Sequence, residues 1–276
     1  MIKAIVLQAL ISTASAADIS TYAPDGDMQI LGTGNDLSGL AYIDYNGGGE
    51  AYVDNKTGRV NFPGGSCYLG GDLESVAQMD ASRLYVVNEA KNGVNVLNMS
   101  NCAVERKFLT DIPLASDGIE GIFAHNGLVY ILEELTGTVS YFIDGGGTAK
   151  AITTQVFSAN ESGAGDLTIG DNGNFLIVFD GSKTAKEFTS TGDLVSVLSI
   201  PEFLNPEGVY WRNDKACFAG EPNNYRCYVG SSTPRTTESC SFSGEVEVYH
   251  DNSTIKASQI VQLTCPTIIN ASGIIQ

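Results

Sequence analysis

Pairs of carboxylates recur along this chain at a nearly constant distance. Four pairs are separated by 15, 14, 14 and 14 residues: Glu74 with Glu89, Glu120 with Glu134, Asp166 with Asp180, and Glu207 with Glu221. Ser38 and Asp54 stand at the corresponding place earlier in the chain. Carboxylates that are brought together raise one another's pKa or bind a cation, and calcium is a hard cation that prefers oxygen ligands. The eight paired carboxylates are therefore candidate metal ligands, with Ca²⁺ as the candidate cofactor.

The first member of each pair belongs to a phrase that occurs five times. The copies are DLSGLAYI from Asp36, DLESVAQM from Asp72, GIEGIFAH from Gly118, GAGDLTIG from Gly163 and NPEGVYWR from Asn205. The residue after each carboxylate serves as a marker, and successive markers lie 36, 46, 46 and 41 residues apart: Gly39, Ser75, Gly121, Leu167 and Gly208. A period of this length is typical of repeat proteins.

Short apolar runs separated by turn residues fill each repeat. In the third repeat, for example, GIFAHN is followed by GLVYILEE and then by VSYFID and AITTQVF. Four short strands in about 40 to 50 residues are typical of one β-propeller blade. The sequence predicts an all-β fold, a five-bladed β-propeller of four-stranded antiparallel blades, with further β extensions at the N- and C-terminal ends.

Two segments outside the five phrases define the domain limits. MQILGTG, from Met28 to Gly34, resembles an outer strand without a blade of its own, and we expect it to complete the final blade and close the ring. The propeller is then predicted over residues 28–230. Residues 231–276 contain further strand-like runs, such as GEVEVYH, and are predicted to form a C-terminal disulfide-linked β extension.

The first 16 residues have two interpretations. A single Lys, an apolar stretch from Ala4 to Ile11 and the small residues Ala14, Ser15 and Ala16 are typical of a secretory signal. Alternatively, the segment is retained as an assembly strand inserted into a neighbouring subunit, because apolar residues occupy both of its faces. No apolar run reaches the roughly 18 residues that a membrane span needs.

Cysteines and glycosylation motifs both point to an oxidising, extracellular compartment. The six cysteines include no CxxC pair, so disulfides are a better explanation than zinc: Cys67, Cys102, Cys217, Cys227, Cys240 and Cys265. Of the 15 possible pairings, the repeats favour joining these six in chain order, two by two. Five sequons suit a secreted glycoprotein, although a chain rich in Asn, Ser and Thr also produces them by chance: Asn55, Asn98, Asn160, Asn252 and Asn270.

The paired carboxylates should meet at one end of the propeller. The first member begins the innermost strand and the second ends the next strand, so antiparallel pairing places both at the same end of a blade. Around a ring they would line one acidic mouth. A purely structural role is the alternative, in which each carboxylate accepts backbone N–H groups and locks neighbouring blades together.

The phrases LSGLAY, IEGIFA and PEGVYW, together with Glu221-Pro222-Asn223, resemble those of the SdiA-regulated propeller family. The resemblance covers roughly residues 31–229. It implies a secreted or periplasmic five-bladed propeller, in some members with bound calcium, and it implies no defined activity. Two departures stand out, because Ser75 replaces the glycine of the second repeat and GAGDLT is a looser version of the phrase in the fourth.

Charge and motifs narrow the function classes. A formal net charge of −17 opposes binding to nucleic acid and suits cations or basic surfaces. The two histidines, His125 and His250, have no GxSxG motif beside them, and phosphate-binding and dinucleotide fingerprints are absent, so no catalytic residue is assigned.

The favoured hypothesis is a secreted, noncatalytic binding or structural subunit with a cation-binding mouth. Its partner would be other copies of itself, in oligomers or filaments, or an extracellular protein or glycan. The alternative is a calcium-dependent hydrolase of esters, lactones or phosphates.

Overall fold

The computed structural model describes residues 18–33, 36–113 and 118–230 in full, together with the backbone of four short strands beyond residue 239. Two compact units are present, Met1–Ser231 and Ser232–Gln276. In the second unit, β21 (Cys240–Ser241) pairs with β24 (Gln262–Leu263), and β22 (Val246–His250) pairs with β23 (Ser253–Ala257). The C-terminal part of the chain is thus also β-structured.

The first unit contains β1 (Tyr22–Ile30) followed by nineteen strands, in five four-stranded antiparallel sheets. Blade 1 consists of β2 (Leu37–Ile43), β3 (Gly49–Asp54), β4 (Arg59–Phe62) and β5 (Gly65–Tyr68). Blade 2 consists of β6 (Leu73–Gln78), β7 (Arg83–Asn88), β8 (Gly93–Asn98) and β9 (Val104–Leu109). Blade 3 consists of β10 (Ile119–His125), β11 (Leu128–Glu133), β12 (Thr138–Phe142) and β13 (Thr154–Ser158). Blade 4 consists of β14 (Ala164–Ile169), β15 (Phe175–Phe179), β16 (Thr184–Phe188) and β17 (Leu194–Ser199).

Blade 5 is completed by the beginning of the chain. It contains β18 (Pro206–Arg212), β19 (Lys215–Gly220), β20 (Asn224–Gly230) and, as its outer strand, β1. β1 runs antiparallel to β20 from Tyr22 opposite Gly230 to Ile30 opposite Asn224. This is the closure expected of residues 28–34, but the strand starts earlier than its apolar residues indicate. Pro24 and Gly26 disfavour an inner strand, whereas an outer strand accommodates them because one of its edges needs no partner.

The inner strands β2, β6, β10, β14 and β18 pack side by side, and β18 packs against β2, so the ring is closed. The predicted five-bladed β-propeller is confirmed. Three short 3-10 helices occur among the described residues: Ile19–Thr21, Tyr45–Gly47 and Glu89–Lys91. None of the helices within the described ranges has the length and apolar character required to traverse a bilayer.

Apolar side chains fill the spaces between neighbouring blades. In the part of the chain that the structure describes, they form five clusters, and each draws on two adjacent blades. Between blades 3 and 4, Leu132, Val139 and Phe157 pack with Phe175 and Ile177. Because each sheet buries both faces in this way, a strand within it can be apolar on both sides, as β15 illustrates with five buried apolar residues of five.

Within the blades, two-residue turns join β4 to β5, β10 to β11 and β18 to β19. β10 and β11 are connected by Asn126 and Gly127, at φ values of 50° and 77°, and β18 and β19 by Asn213 and Asp214, at 52° and 58°. These left-handed conformations suit the twist of a tight hairpin, and Asn, Asp and Gly are the residues that adopt them most readily. The turn residues of the sequence thus determine where each hairpin reverses.

Two of the predicted disulfides are present. Cys67 in β5 bonds to Cys102, which precedes β9, and thereby ties the outer part of blade 1 to blade 2. Cys217 and Cys227 lie opposite each other in β19 and β20 and bond across that hairpin. Of the third predicted pair, Cys240 lies in β21, where only the backbone is described, and Cys265 lies outside the described residues, so this disulfide stays a prediction.

Candidate metal centre at the propeller mouth

Each inner strand begins with an irregularity in its pairing. The register with the next strand shifts between Ile119 and Gly121 in blade 3 and between Pro206 and Gly208 in blade 5, so Glu120 and Glu207 are extra residues without a partner. Such a bulge turns the side chain of the extra residue away from the regular sheet face. This local distortion sets the position of the first carboxylate of each pair, at the end of the ring that we call the acidic mouth.

In blade 4 the corresponding shift lies between Ala164 and Asp166, so the extra residue is Gly165. Asp166 therefore occupies the position that Gly121 and Gly208 hold in blades 3 and 5. The repeated phrases group Asp166 with Glu120 and Glu207. In the structure, Gly165 is the residue equivalent to these glutamates, and Asp166 is one position further along its strand. Consequently Asp166 lies in a different environment from the glutamates with which it was grouped.

Asp166 and Ser75 form a buried network that we call the axial hub. Asp166 Oδ2 accepts the backbone N–H groups of Leu40 (3.0 Å) and Val209 (3.1 Å), and its Oδ1 accepts the Ser75 hydroxyl at 2.9 Å. Ser75 Oγ in turn accepts the N–H of Ile122 at 3.2 Å. These contacts connect the inner strands of all five blades through two side chains.

Glycine at the hub position of the other blades leaves room for this network. A Cβ at Gly39 would lie 2.5 Å from Ser75 Cα, and a Cβ at Gly208 would lie 2.7 Å from Leu40 Cβ. Only backbone therefore fits between neighbouring inner strands at these points. Burial raises the pKa of Asp166 to about 7, and its backbone and Ser75 hydrogen bonds oppose that increase.

Five carboxylates of blades 2 and 3 meet at one corner of the mouth. One trio is formed by Asp72, Glu74 and Glu89, and a second by Glu89, Glu120 and Glu134; in each trio the nearest oxygens all lie within 4.8 Å of one another. Calcium ligands lie at about 2.3 to 2.6 Å from the ion, so oxygens at this spacing can surround one cation. Glu89 belongs to both trios and joins them into a single corner.

Burial and neighbouring carboxylates disfavour the ionised form of two glutamates at this corner. Glu74 is buried, and burial together with the charges of Asp72, Glu207 and Glu89 raises its pKa well above the usual range. Burial likewise raises the pKa of Glu120, with Glu74, Glu89 and Glu134 adding to the increase. A bound divalent cation would reverse this penalty, because it favours the ionised form of each ligand.

Asn55 contributes a polar side chain to the corner. Its Nδ2 donates to Glu74 Oε1 at 2.8 Å and to Asp72 Oδ1 at 3.3 Å. Asn88, which directly precedes Glu89, has a buried Oδ1 without a hydrogen-bond partner among the described residues. The five carboxylates of the corner supply the oxygen ligands that a hard cation such as calcium prefers.

The other predicted ligands lie apart from the two trios. Glu207 accepts the Ser38 hydroxyl at 3.2 Å, and burial, then Glu221 and Asp36, raises its pKa to about 8. Glu221 accepts a hydrogen bond from Asn205, and Asp180 accepts one from the backbone of Gly181. The structure therefore brings Glu74, Glu89, Glu120 and Glu134 together, out of the eight predicted ligands.

Asp72 was not among the predicted ligands, although it opens the phrase DLESVAQM and was visible in the sequence. The repeated phrase marks Glu74, which directly precedes the marker Ser75, whereas Asp72 lies two residues before Glu74. For Asn55, the sequence predicts only a glycosylation site. A glycan on its Nδ2 would displace the hydrogen bonds to Asp72 and Glu74, and one on Asn98 would displace its bond to Glu105, whereas Asn160 is exposed. Asn252 and Asn270 lie outside the described residues, and glycan attachment stays a prediction.

Comparison with known proteins identifies relatives of the fold. No protein-family model and no curated protein matches the sequence. Glutaminyl cyclase from Myxococcus xanthus is similar in structure, with a TM-score of 0.58 and 15% identity over 76% of this chain and 97% of that one. A protein of unknown function from Bacteroides thetaiotaomicron has a TM-score of 0.52 and 12% identity over 77% of this chain and 75% of that one.

Virginiamycin B lyase from Staphylococcus aureus also resembles the chain, with a TM-score of 0.47 and 15% identity over 70% of this chain and 66% of that one. The structural neighbours include five-bladed β-propellers, and they include enzymes. At this level of identity the likeness extends to the fold alone. No match links the chain to the SdiA-regulated family.

Proposed function

We propose that the protein is an extracellular propeller that binds a divalent cation, calcium, at the corner formed by Asp72, Glu74, Glu89, Glu120 and Glu134, and that uses this mouth to bind a partner. The observation that carries the proposal is the pair of carboxylate trios that share Glu89. Carboxylates this close to one another are unfavourable without a cation or protons.

The ion would complete the mouth in two ways. It would neutralise the glutamates of blades 2 and 3 and so hold the two inner strands together at their first residues. Calcium takes six to eight oxygen ligands, so coordination positions left open by the protein would be filled by water or by oxygen atoms of a partner. An extracellular protein or glycan is the partner class that this chemistry suits.

Extracellular location is supported by the two disulfides, by the signal-like start and by the resemblance to the SdiA-regulated propellers. Disulfides persist in oxidising compartments and are rare in reducing ones. Self-assembly through an inserted N-terminal strand is the part of the hypothesis that depends on residues 1–16, which lie outside the described residues. Intact mass and light scattering of native material test it, since a monomer that begins at residue 17 or 18 would contradict it.

An enzymatic role at the same mouth is the second candidate, because half-buried Glu207 carries a raised pKa of about 8 and so holds a proton at neutral pH. A protonated carboxyl beside a metal is suited to general acid catalysis in ester, lactone or phosphate hydrolysis. One fold neighbour, the glutaminyl cyclase, is an enzyme by name. Turnover on a panel of such substrates that is lost in Glu207→Gln would favour this candidate.

Calcium titration of chelator-treated protein tests the main proposal. We expect binding by calorimetry and an increase in the free energy of unfolding of about 2.7 kcal/mol when free calcium is about 100 times the dissociation constant. Glu89→Gln should abolish binding because both trios lose their shared ligand. Glu105→Gln is the matched control, since Glu105 is exposed on β9 and belongs to neither trio. Wild-type protein that shows neither heat nor stabilisation with calcium would refute the proposal.

A further inference from the structure

An open cavity of about 480 Å³ lies beside the acidic mouth, between blades 2 and 3. We call it the blade 2/3 groove. One wall is the loop Asp111–Pro113 that follows β9, and the other is the face of blade 3 that carries Glu133, Thr138, Ser140 and Gln155. None of the five proposed calcium ligands lines it.

Ser140 is the residue in this groove that offers a ligand an unused hydroxyl group. Its side chain is only 5% exposed, yet its hydroxyl has no hydrogen-bond partner among the described residues. Gln155 lies directly opposite it on β13 and is exposed. The hydroxyl is open to the groove, because the fully buried side-chain atoms without a partner are Asn88 Oδ1, Asn92 Oδ1 and Thr168 Oγ1 among the described residues. It therefore offers a molecule in the groove a hydrogen-bonding group that no other protein group uses.

Most of the remaining hydrogen-bonding capacity of the groove consists of acceptors. The Thr153 hydroxyl donates its hydrogen to Asp111 Oδ1 at 2.6 Å. The Thr136 hydroxyl donates to Glu133 Oε2, so in its 2.6 Å contact with Thr138 the hydrogen comes from Thr138. Three hydroxyl hydrogens are thus used, whereas the Asp111 carboxylate accepts hydrogen bonds only from Thr153 and from its own backbone N–H among the described residues. A ligand that fits this set is a hydrogen-bond donor.

The charge of the groove indicates that the hydrogen-bond donor of the ligand is positively charged. Asp111 and Glu133 both line it, and neither Lys nor Arg does. Glu133 is 5% exposed and accepts hydrogen bonds from neutral groups, the Leu135 and Thr136 N–H groups and the Thr136 hydroxyl. These bonds satisfy Glu133, and Lys150, which attracts the Asp111 carboxylate, does not line the groove. A cationic ligand would therefore add a positive charge that the lining residues lack.

We propose that the blade 2/3 groove binds an ammonium or guanidinium group, which donates hydrogen bonds to Ser140 Oγ and Asp111 Oδ2. Leu135, Ile112 and Pro113 offer an apolar surface for the methylene stem of such a group, and Leu135 is 46% exposed. The source is a free amine or the Lys or Arg side chain of a partner protein. The site does not depend on calcium at the mouth, because it shares no ligand with either trio.

Calorimetric titration of the full chain with agmatine, which carries both an amine and a guanidinium, tests the proposal. We expect a dissociation constant of about 1 mM or tighter, both in calcium and in a chelator. Xylitol of the same concentration is the neutral control and should not bind. An acetylated and amidated Ala-Arg-Ala peptide distinguishes the sources: tighter binding of the peptide than of agmatine identifies a protein side chain, and weaker binding identifies a free amine.

Substitutions of Asp111 and Ser140 test whether agmatine binds in the groove. Asp111→Asn keeps the shape but removes the charge, and should weaken agmatine binding by at least about tenfold. Ser140→Ala should weaken it by about fivefold, without loss of stability, because its hydroxyl has no partner to lose. Asp193→Asn is the matched control, since Asp193 is an exposed carboxylate that bonds threonine hydroxyls on blade 4.

Three outcomes would overturn the proposal. The first is that agmatine does not bind wild-type protein at 10-fold above the expected constant of about 1 mM. The second is equal binding to wild type, Asp111→Asn and Ser140→Ala, which would place the amine elsewhere on this acidic protein. The third is binding of xylitol in place of agmatine, which would make the groove a polyol site.

Discussion

Asp166 and Glu120 occupy adjacent positions of the same repeated phrase, yet their carboxylates are used in opposite ways. Asp166 lies in the axial hub, where two backbone N–H groups and a hydroxyl donate to it from blades 1, 5 and 2. Glu120 lies in the acidic mouth, where its closest charged neighbours are other carboxylates. A one-residue shift of the bulge therefore separates a carboxylate that holds the ring together from one that needs a cation.

The hub also explains why the repeat departs from its pattern in two places. Ser75 and Asp166 stand where the other three blades have glycine, and they are the two side chains that reach the axis. Three further positions must then be glycine, because a Cβ there would meet the neighbouring inner strand. Sequence irregularity in blades 2 and 4 thus supplies the hydrogen-bond acceptors that the bulged backbones of blades 1, 3 and 5 require.

The largest effect is expected from removing the hub carboxylate. Asp166→Ala leaves two buried N–H groups and the Ser75 hydroxyl without an acceptor, so the free energy of unfolding should fall by about 4 kcal/mol. Urea denaturation measures this loss, which should be the same with calcium and with a chelator. Asp193→Ala is the control, with a change near zero at an exposed site. A loss that calcium restores would mean that the hub and the mouth are one site.

The pH dependence of the free energy of unfolding should differ between the protein with calcium and the protein without it. The carboxyls of Asp166 and Glu207 have folded pKa values of about 7 and 8, raised above their usual values near 4, so the folded state holds protons that the unfolded state has released. Their stabilising contribution is complete below about pH 4 and is lost as the pH rises through 7 to 8. In chelator, the free energy of unfolding should fall by about 1.4 kcal/mol per pH unit for each such proton.

Burial also raises the pKa values of Glu74 and Glu120, two of the proposed calcium ligands. Calcium should remove their share of the pH dependence and leave the shares of Asp166 and Glu207 unchanged, because the ion keeps only its own ligands ionised. Urea midpoints from pH 5 to 9, with and without calcium, provide the measurement. A lowered pKa gives the opposite sign: Asp144, whose pKa is held at about 2 by Arg106 and Tyr85 hydrogen bonds against its burial, loses its contribution only in strong acid. Stability in chelator that rises with pH between 5 and 8 would contradict the assigned pKa shifts.

The smallest effect is expected from neutralising one mouth carboxylate. Glu120→Gln removes a carboxyl group whose ionisation is opposed by burial and by its neighbours, so in chelator it should increase the free energy of unfolding by about 1 kcal/mol. In calcium the same variant should be less stable than wild type, because a ligand is lost. Thermal unfolding of both proteins under both conditions tests this reversal of sign, with Glu105→Gln as the unaffected control. If Glu120→Gln were destabilising in chelator too, the glutamate would be a blade-to-blade lock.

Much of this architecture could be predicted because it depends on local patterns. Five phrases at regular intervals, apolar runs of strand length and Asn or Gly at the reversals are sufficient to predict five four-stranded blades. The two described disulfides could be predicted as well, because adjacent repeats and a hairpin bring those cysteines near one another. The gathering of Glu74, Glu89, Glu120 and Glu134 followed from the constant spacing of the pairs.

The position of Asp166, the role of Ser75 and the involvement of Asp72 and Asn55 could not be predicted in the same way. A bulge shifts side chains by one residue without changing the composition of the strand, so the letters GAGD do not reveal which residue is extra. The groove beside blade 3 is likewise formed by residues far apart in the chain, from Asp111 to Gln155.

The sequence by itself determined that this protein is a ring of five β blades, where its hairpins turn, and that carboxylates collect at one end. These properties follow from periodicity and from residue preferences that act over a few positions. Only the tertiary structure decided which carboxylates face one another and which accept backbone hydrogen bonds. The physical reason is that the pKa and the ligand capacity of a carboxylate depend on burial and on neighbours from other blades, and those neighbours are brought together only when the ring closes.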